Sequence, residues 1–294
     1  MSLIESLINL RYGISKDTVL NPDRGGMPPG GSADPDRLGE VLLGLRSQAA
    51  VSVEDDLDYG ELARSEAYAN YRRHLLELRS FDPSMLADRE RQLAFWINLY
   101  NGLVLDAVIQ WRIMRSVLEL PGFFWRAAYN IGGLRYSAND IENGIVRGNA
   151  PHPAIPGAPF GRADPRRAFS MMPIDPRVHF ALVCASRSCP PVAVYDAERV
   201  NEQLDQATRS FIRGGGVKVD GARRRVLLSR IFQWYAVDFG AHWFAIGDRG
   251  PLLRFAAPYL ESDDALRLTT GGIWSVSFTR YDWSLNGLWS AKEP

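Results

Sequence analysis

The stretch from Asp88 to Arg112 limits most strongly what this chain can fold into. Asp88 is a suitable N-cap, and the residues that follow it are apolar on nearly every face of a helix. The most apolar part, Phe95 to Met114, is interrupted by Asn, Asp, Gln and Arg residues that a lipid-facing span does not carry. The pattern therefore predicts a buried central helix and no membrane span.

The composition is ordinary for a globular protein and excludes several classes. The chain has 294 residues with 34 basic and 34 acidic side chains, so its formal net charge is zero. This balance argues against a dedicated nucleic-acid binder or a binder of anionic membranes. Two cysteines form no disulfide scaffold, and no basic segment followed by a long apolar run opens the sequence. We therefore expect a soluble, cytoplasmic protein.

The other predicted elements mix helices with hairpins and show no βαβ rhythm. Apolar residues at helical spacing predict helices at 38–45 and 59–78. Hairpins are predicted at 129–136 and 217–228, each with glycine in the turn, and a buried strand at 177–184. This mixture predicts an α+β fold, a helix-rich domain with a long buried central helix and a small, mainly antiparallel sheet.

The sequence predicts three parts. Residues 1–37 are an N-terminal segment that ends in a Gly/Pro-rich linker, residues 38–87 a helical lead-in, and residues 88–294 the main domain. Within the main domain, residues 148–176 contain seven prolines and little periodicity. So long an irregular stretch is typical of a functional loop.

Five short segments occur in a specific order and at specific separations. They are 91–101 (RQLAFWINLYN), 140–143 (DIEN), 175–184 (DPRVHFALVC), 188–191 (SCPP) and 281–286 (YDWSLN). Together they resemble the family catalogued as domain of unknown function 547, which is found in bacteria, plants and animals. The resemblance covers residues 88–286, and it implies no established activity.

One cysteine and one histidine offer nucleophilic chemistry. Cys189 lies in a predicted loop beside Ser188 and near Arg187, whose charge favours the thiolate. His179 lies in the predicted buried strand, where a polar ring indicates a structural or functional role. With His179 as base and Glu142 or Asn98 orienting its ring, these side chains would be a nucleophile, a base and an orienter. The alternative is a structural histidine and a cysteine that only fills space.

Other polar residues are candidates for substrate binding. Asn98 and Asn101 lie three residues apart on one face of the central helix. There they either orient a catalytic side chain or bind substrate, or they hydrogen-bond a neighbouring loop backbone. Arg187 and Ser188 flank the thiol and are expected to contact substrate. His152 lies on the proline-rich loop and is expected to close over the site.

A zinc site is a further possibility, because His, Cys and Glu side chains bind zinc in proteins. The four candidates are His179, Cys184, Cys189 and Glu142. Strand alternation argues against it, since it places His179 and Cys184 on opposite faces, with Cys184 in the core. The sequence also contains no glycine-rich phosphate loop, GxGxxG, GxSxG or HExxH motif. We therefore expect neither a metal nor another cofactor.

These observations together predict thiol-dependent hydrolysis or acyl transfer by Cys189 and His179. The order of a long buried helix, a hairpin and a strand with a histidine is similar to that of papain- and transglutaminase-like enzymes. In those enzymes the cysteine begins the helix, whereas this chain has the region Trp96–Asn98 there. The alternative is a non-enzymatic module that binds a peptide or small-molecule ligand.

Overall fold

The structure is a computed structural model that describes residues 2–22, 35–49, 57–242, 247–270 and 272–290. The chain divides into two compact units. Unit 1 comprises Met1–Pro173, Leu182–Val200 and Trp283–Pro294, and unit 2 comprises Ile174–Ala181 and Asn201–Asp282. Most of the Gly/Pro-rich segment predicted before residue 38 lies outside the described residues.

Unit 1 is largely helical. Its helices are α1 (Leu3–Tyr12), α2 (Pro35–Ala49), α3 (Tyr59–Arg64), α4 (Glu66–Glu77), α5 (Arg89–Gln110) and α6 (Phe123–Arg126), with a π-helix at Asp140–Val146 and a 3₁₀-helix at Pro165–Phe169. The strands are β1 (Leu57–Asp58), β2 (Ala128–Ile131), β3 (Leu134–Ser137) and, near the end of the chain, β7 (Gly287–Leu288). β1 and β7 pair in parallel, and β2 and β3 form an antiparallel hairpin.

The helix α5 is the central helix that the sequence predicts. Asp88 caps it by accepting a hydrogen bond of 2.8 Å from the N–H of Arg91, and every residue from Leu93 to Ile109 is buried. The helix α2 packs against α4 and α5. By length and composition α5 is able to cross a bilayer, but 94% of its most apolar window is buried inside the protein. It is therefore a core helix.

The acidic residue that interrupts α5 is fully paired. Asp106 accepts hydrogen bonds from Tyr68 at 2.6 Å, from Tyr129 at 2.9 Å and from Gln110 at 2.9 Å. Arg72 lies 2.7 Å from the same carboxylate. Because a buried charge is costly unless it is paired and hydrogen-bonded, these partners explain how α5 carries an aspartate and remains buried.

Unit 2 combines a small sheet with short helices. It holds a 3₁₀-helix at Pro176–Phe180, most of α7 (Val200–Phe211), and α8 (Arg230–Trp234), α9 (Gly250–Ala256) and α10 (Ser262–Thr270). The strands β4 (Val217–Asp220), β5 (Arg225–Leu228) and β6 (Ser275–Phe278) form one sheet in that order. β4 and β5 are antiparallel, and β5 and β6 are parallel. Phe180, Phe232 and Phe239 belong to its core.

The predicted α+β class, the central helix and both hairpins are confirmed. Within the described residues the strands are distributed over three small sheets, with two antiparallel and two parallel pairs. One predicted helix, 59–78, is divided at Ser65. The extended backbone of Ser65 ends α3, and its hydroxyl accepts the N–H of Tyr68 and so caps α4.

The strand predicted at 177–184 is wrong. Residues Pro176–Phe180 form a 3₁₀-helix, which continues into irregular chain. Asp175 starts it by accepting the N–H of Arg177 at 3.0 Å, and Pro176 fixes a φ angle that suits a helical first position. The run of apolar residues that predicted a strand is therefore overruled by a helix-start signal just before it.

Candidate functional site

Two asparagines of α5 hold the segment that contains both cysteines, residues 183–195, here called the cysteine loop. Asn101 Oδ1 accepts the N–H of Val183 at 2.9 Å. Asn98 Oδ1 accepts the N–H of Tyr195 at 2.9 Å, and its Nδ2 donates to the carbonyl oxygen of Tyr195 at 2.7 Å. Both asparagine side chains are buried. The central helix therefore fixes the two ends of the cysteine loop.

The sulfur of Cys189 lies inside this loop and accepts a backbone hydrogen bond. The N–H of Cys184 points to Cys189 Sγ at 3.0 Å, and the N–H of Cys189 donates to the carbonyl oxygen of Ser186 at 3.0 Å. Ala185 adopts a φ of 58°, which is uncommon for a residue with a side chain. Both cysteines are reduced and half-buried. A hydrogen bond donated to sulfur favours the thiolate over the thiol.

The C-terminal segment supports the cysteine loop from a second direction. The N–H of Arg187 donates to the carbonyl oxygen of Ser284 at 2.8 Å, and the N–H of Asn286 donates to that of Ala185 at 3.1 Å. The hydroxyl of Tyr59 in turn donates to Asn286 Oδ1 at 2.7 Å. These contacts join residues 185–187 of the cysteine loop to residues 284–286, which lie far apart from them in the sequence.

An apolar pocket adjoins the chain just beyond the thiol. Its lining includes Leu42, Leu45, Leu62, Asn101, Leu105 and Val192. Val192 follows Cys189 by three residues. These residues carry one amide and otherwise aliphatic side chains, so the wall of the recess is largely apolar.

His179 lies in unit 2 and forms a buried pair with Asp238. The two atoms in contact are Nε2 of His179 and Oδ2 of Asp238, 2.8 Å apart, and the side chains are 1% and 2% exposed. The ring stacks on Tyr235 with a centroid distance of 3.8 Å. A carboxylate at Nε2 places the proton of the neutral ring there, so Nδ1 becomes the basic nitrogen.

Asp238 is the residue that sequence reasoning missed. It lies in the run Trp234–Phe239, whose aromatic residues indicate a buried core segment. Its one sequence signal is an acidic residue directly before a buried phenylalanine, where a carboxylate needs a partner. The structure supplies that partner in His179.

Two expectations about the candidate residues are corrected. His179 is not on a strand, so strand alternation does not decide which way its ring faces. Cys184 is not a core residue: it is half-buried, and its Sγ lies 3.2 Å from the hydroxyl oxygen of Ser186. The 3₁₀-helix explains both errors, because the alternation on which they rested exists only in extended chain.

The remaining predicted site residues lie in unit 1. Glu142, on the π-helix, accepts a hydrogen bond of 3.3 Å from the hydroxyl of Tyr100. Arg187 is exposed and Ser188 is half-buried, each in the cysteine loop next to or near the thiol. His152 lines a different pocket, where its ring packs against Trp125 at a centroid distance of 5.3 Å. The catalytic or binding roles of these residues stay predictions.

Metal binding gains no support from the described part of the chain. Among residues 2–22, 35–49, 57–242, 247–270 and 272–290, no three or more His, Cys, Asp or Glu side chains are grouped to hold an ion. This holds for His179, Cys184, Cys189 and Glu142, the four side chains that the sequence offers as zinc ligands.

Comparison with known proteins gives one match. Residues 83–212 match the family model described as "Protein of unknown function, DUF547". The match includes α5, the DIEN segment, His179 and the cysteine loop, whereas the segment 281–286 lies beyond it. No curated protein and no solved structure matches the chain. The match supports the resemblance of residues 83–212 to the domain of unknown function 547 family.

Proposed function

We propose that this protein is a thiol-dependent hydrolase or acyltransferase with Cys189 as its nucleophile. The observation that carries the proposal is the 3.0 Å hydrogen bond from the N–H of Cys184 to Cys189 Sγ. It favours the thiolate, which is the nucleophilic form of cysteine. Cys189 is half-buried and not part of the closed core.

A rigid setting for the nucleophile supports the same proposal. Asn98 and Asn101 tie the cysteine loop to the buried helix α5, and Pro190 and Pro191 restrict the backbone directly after the thiol. A nucleophile held by a rigid element meets its substrate in one orientation, which lowers the entropic cost of reaction. The two asparagines then act as positioning residues, and Arg187 and Ser188 are the proposed substrate contacts.

The base that we propose is His179, oriented by Asp238. The contact with Asp238 fixes the orientation of the imidazole ring, as the orienting carboxylate of a general base does. The assignment of His179 to Cys189 rests on the sequence alone. Glu142 remains a second candidate for an orienting carboxylate, and His152 for a substrate contact.

The proposed reaction is acyl transfer through a thioester. His179 takes the proton of the Cys189 thiol, and the thiolate attacks the substrate carbonyl carbon to form a C–S bond. The bond to the leaving group then breaks as the imidazolium of His179 gives that group the proton. Water or another acceptor then attacks the thioester carbonyl carbon and loses its proton to the neutral imidazole of His179; the C–S bond breaks, and Cys189 leaves as the thiolate, which regains the proton from the imidazolium. The aliphatic pocket beside Val192 favours a short aliphatic acyl group.

The test is the pH dependence of alkylation of Cys189 by iodoacetamide. All variants carry Cys184→Ser, so that Cys189 is the one thiol that reacts. We expect alkylation well below the pH of an ordinary thiol, whose pKa is about 8.5, and a shift back toward that pH in His179→Ala. His242→Ala, an exposed histidine of unit 2, is the matched control and should leave the profile unchanged.

Two further results decide between enzyme and binding module. Hydrolysis of p-nitrophenyl butyrate that disappears in Cys189→Ala supports the enzyme. A Cys189 that is unreactive, or that titrates as an ordinary thiol with or without His179, rules out the thiol mechanism. In that case a non-enzymatic module for a peptide or small-molecule ligand is the better explanation.

A further inference from the structure

The two cysteines of the chain lie in the same loop, and the proposed acyl transfer uses the thiol of one of them. Cys184 and Cys189 are both reduced and half-buried. The chain turns between them, since the N–H of Cys189 donates to the carbonyl oxygen of Ser186 at 3.0 Å and Ala185 adopts a φ of 58°. This turn brings Cys189 back toward Cys184.

The separation of the two cysteines suits a disulfide. The backbone nitrogen of Cys184 lies 3.0 Å from Cys189 Sγ. Because a cysteine sulfur lies about 2.8 Å from its own Cα and a backbone nitrogen about 1.46 Å from its Cα, the two Cα atoms are at most about 7 Å apart. A pair within that distance is bridged without displacement of the backbone, through rotation of the side chains between staggered rotamers.

The polar contacts of the two sulfurs differ and indicate which thiol reacts first. The N–H that points to Cys189 Sγ is a donor only, so this contact favours the thiolate of Cys189. The hydroxyl of Ser186, 3.2 Å from Cys184 Sγ, either donates or accepts and therefore suits a thiol as well as a thiolate. Because peroxides oxidise the thiolate, we expect Cys189 to be oxidised before Cys184.

A tyrosine of α3 lies close to both cysteines. Burial raises the pKa of the Tyr59 hydroxyl, and negative charge on Cys189 and on Cys184 raises it further. The same hydroxyl donates to Asn286 Oδ1 at 2.7 Å, and the N–H of Asn286 donates to the carbonyl oxygen of Ala185 at 3.1 Å. The two sulfurs are therefore near enough to act on one hydroxyl, which is tied to the turn between them.

We propose that hydrogen peroxide converts Cys184 and Cys189 into a reversible disulfide, which removes the nucleophile of the cysteine loop. Formation of the disulfide depends on the two thiols alone, whereas its consequence for acyl transfer rests on the proposed function. The ring that it closes spans residues 184–189. Because so short a ring constrains the unfolded chain less than a long one, the bond is suited to redox exchange more than to structural support.

The reaction is the oxidation of two thiols by one peroxide. The thiolate of Cys189 attacks one peroxide oxygen, the S–O bond forms, the O–O bond breaks, and the second oxygen leaves as hydroxide, which solvent protonates to water. Cys184 gives its proton to solvent, and its thiolate attacks the sulfur of the Cys189 sulfenic acid. The S–S bond forms and the S–O bond breaks, with hydroxide again leaving as water. The peroxide gains the two electrons that the two sulfurs lose.

Tryptic digestion makes the disulfide directly measurable, because Arg187 lies between the two cysteines. Cleavage at arginine places Cys184 on peptide 178–187 and Cys189 on peptide 188–199. The reduced full-length protein is treated with hydrogen peroxide at pH 7.5, the remaining thiols are blocked with N-ethylmaleimide, and the digest is analysed by mass spectrometry without reductant. We expect the two peptides to be linked, with the mass of two hydrogens missing, and to be separated by dithiothreitol. Linkage should be about tenfold faster than in the protein unfolded in urea, because the folded loop favours the thiolate and holds the sulfurs close.

Two single substitutions test the order of oxidation. In Cys184→Ser no second thiol attacks the sulfenic acid, so dimedone should label Cys189, and excess peroxide should oxidise it to the sulfinic acid, which dithiothreitol does not reduce. Cys189→Ser is the matched control, in which dimedone should label Cys184 at least about tenfold more slowly. Peroxide should abolish hydrolysis of p-nitrophenyl butyrate by the parent and by Cys184→Ser, and dithiothreitol should restore it in the parent alone.

Three results overturn the proposal. They are peptides that stay separate after peroxide treatment, a disulfide that joins two chains on a non-reducing gel, and linkage that is equally fast in urea. Failure of the proposed function gives a different pattern, in which the reduced protein hydrolyses no ester while the linked peptide still forms. Ester hydrolysis without a linked peptide is the converse and contradicts the disulfide alone.

Discussion

The side-chain amide of Asn98 forms two hydrogen bonds with the peptide groups of Tyr195, one accepted at 2.9 Å and one donated at 2.7 Å. This is the pattern that a neighbouring β-strand would offer to Tyr195. One turn later on α5, Asn101 accepts the N–H of Val183 in the same way. Side chains of helix α5 therefore form the hydrogen bonds to the chain around Cys189 that a neighbouring strand would form in a sheet.

Removal of the Asn98 amide should loosen the cysteine loop. In Asn98→Ala both backbone groups of Tyr195 lose their partner, and in Asn98→Asp a carboxylate oxygen faces the Tyr195 carbonyl. We expect each variant to lower the free energy of unfolding by about 2–4 kcal/mol in urea titrations, because buried polar groups are left unpaired. Arg73→Ala, at an exposed position of α4, is the control and should change it by less than about 0.5 kcal/mol. Equal effects of the two Ala variants contradict the argument.

The fold is predictable where local signals agree. Asp88 and the apolar residues after it predict both the start and the burial of α5, because a capping carboxylate and the absence of a polar face are local properties. Gly132 and Gly133 predict the first hairpin in the same way, since both adopt positive φ angles, 57° and 81°, in its turn. The partners of Asn98 and Asn101 are not local, and the sequence leaves them open between loop backbone and substrate.

The candidate site is predicted less completely, for a physical reason. The apolar run after Arg177 has the composition of a strand, but Asp175 and Pro176 start a 3₁₀-helix there. Two further predictions relied on strand alternation and were affected by this error: the opposite faces of His179 and Cys184 in the zinc argument, and the core position of Cys184. Asp238 was missed because its partner, His179, is 59 residues away. Pairing over such a distance is a property of the folded chain.

His179 and Asp238 should be strongly coupled in a double-mutant cycle. Replacing either residue with Ala leaves a buried polar partner behind, which should cost about 3–5 kcal/mol of unfolding free energy. The double variant should cost less than the sum of the two by about 1–3 kcal/mol. Urea unfolding of the four proteins measures this coupling.

The exposed pair of Arg223 and Asp220, 3.0 Å apart, provides the comparison for that cycle. Because solvent screens these two charges, their coupling should be much smaller than that of His179 and Asp238. Couplings of the same size for both pairs would show that the buried contact contributes nothing special to unit 2.

Gly102 is required by the packing of α5 and not by its backbone angles. A Cβ at this position would overlap the hydroxyl of Tyr71 and come within 2.9 Å of a methyl carbon of Leu42. Gly102→Ala should therefore lower the free energy of unfolding by about 1–3 kcal/mol, although alanine is the better helix former. Gly44→Ala on α2 is the matched control, because nothing lies within 4 Å of its Cβ position. It should stabilise the protein by about 0.5–1 kcal/mol, and a gain from both variants contradicts the packing argument.

Asp58 links the start of α3 to the C-terminal segment. Its Oδ1 accepts the N–H groups of Gly60 at 2.8 Å and Glu61 at 3.0 Å, as well as the N–H and hydroxyl of Ser290 at 3.2 and 3.0 Å. Burial alone raises the pKa of Asp58, but these hydrogen bonds outweigh it and hold the pKa below its usual value. Asp58→Ala should cost about 1–2 kcal/mol at neutral pH through loss of the cap.

The same carboxylate should make stability depend on pH in a defined window. An acid whose pKa is lowered by folding stabilises the protein fully above its unfolded pKa of about 3.9 and loses that contribution as the pH falls through the folded value. Asp58→Asn has no such group, so the difference in unfolding free energy between the parent and Asp58→Asn should shrink as the pH falls below about 4. Urea titrations of both proteins between pH 7 and the acid limit of folding measure it. A difference that stays constant with pH shows that the hydrogen bonds of Asp58 are worth the same to a neutral side chain as to a charged one.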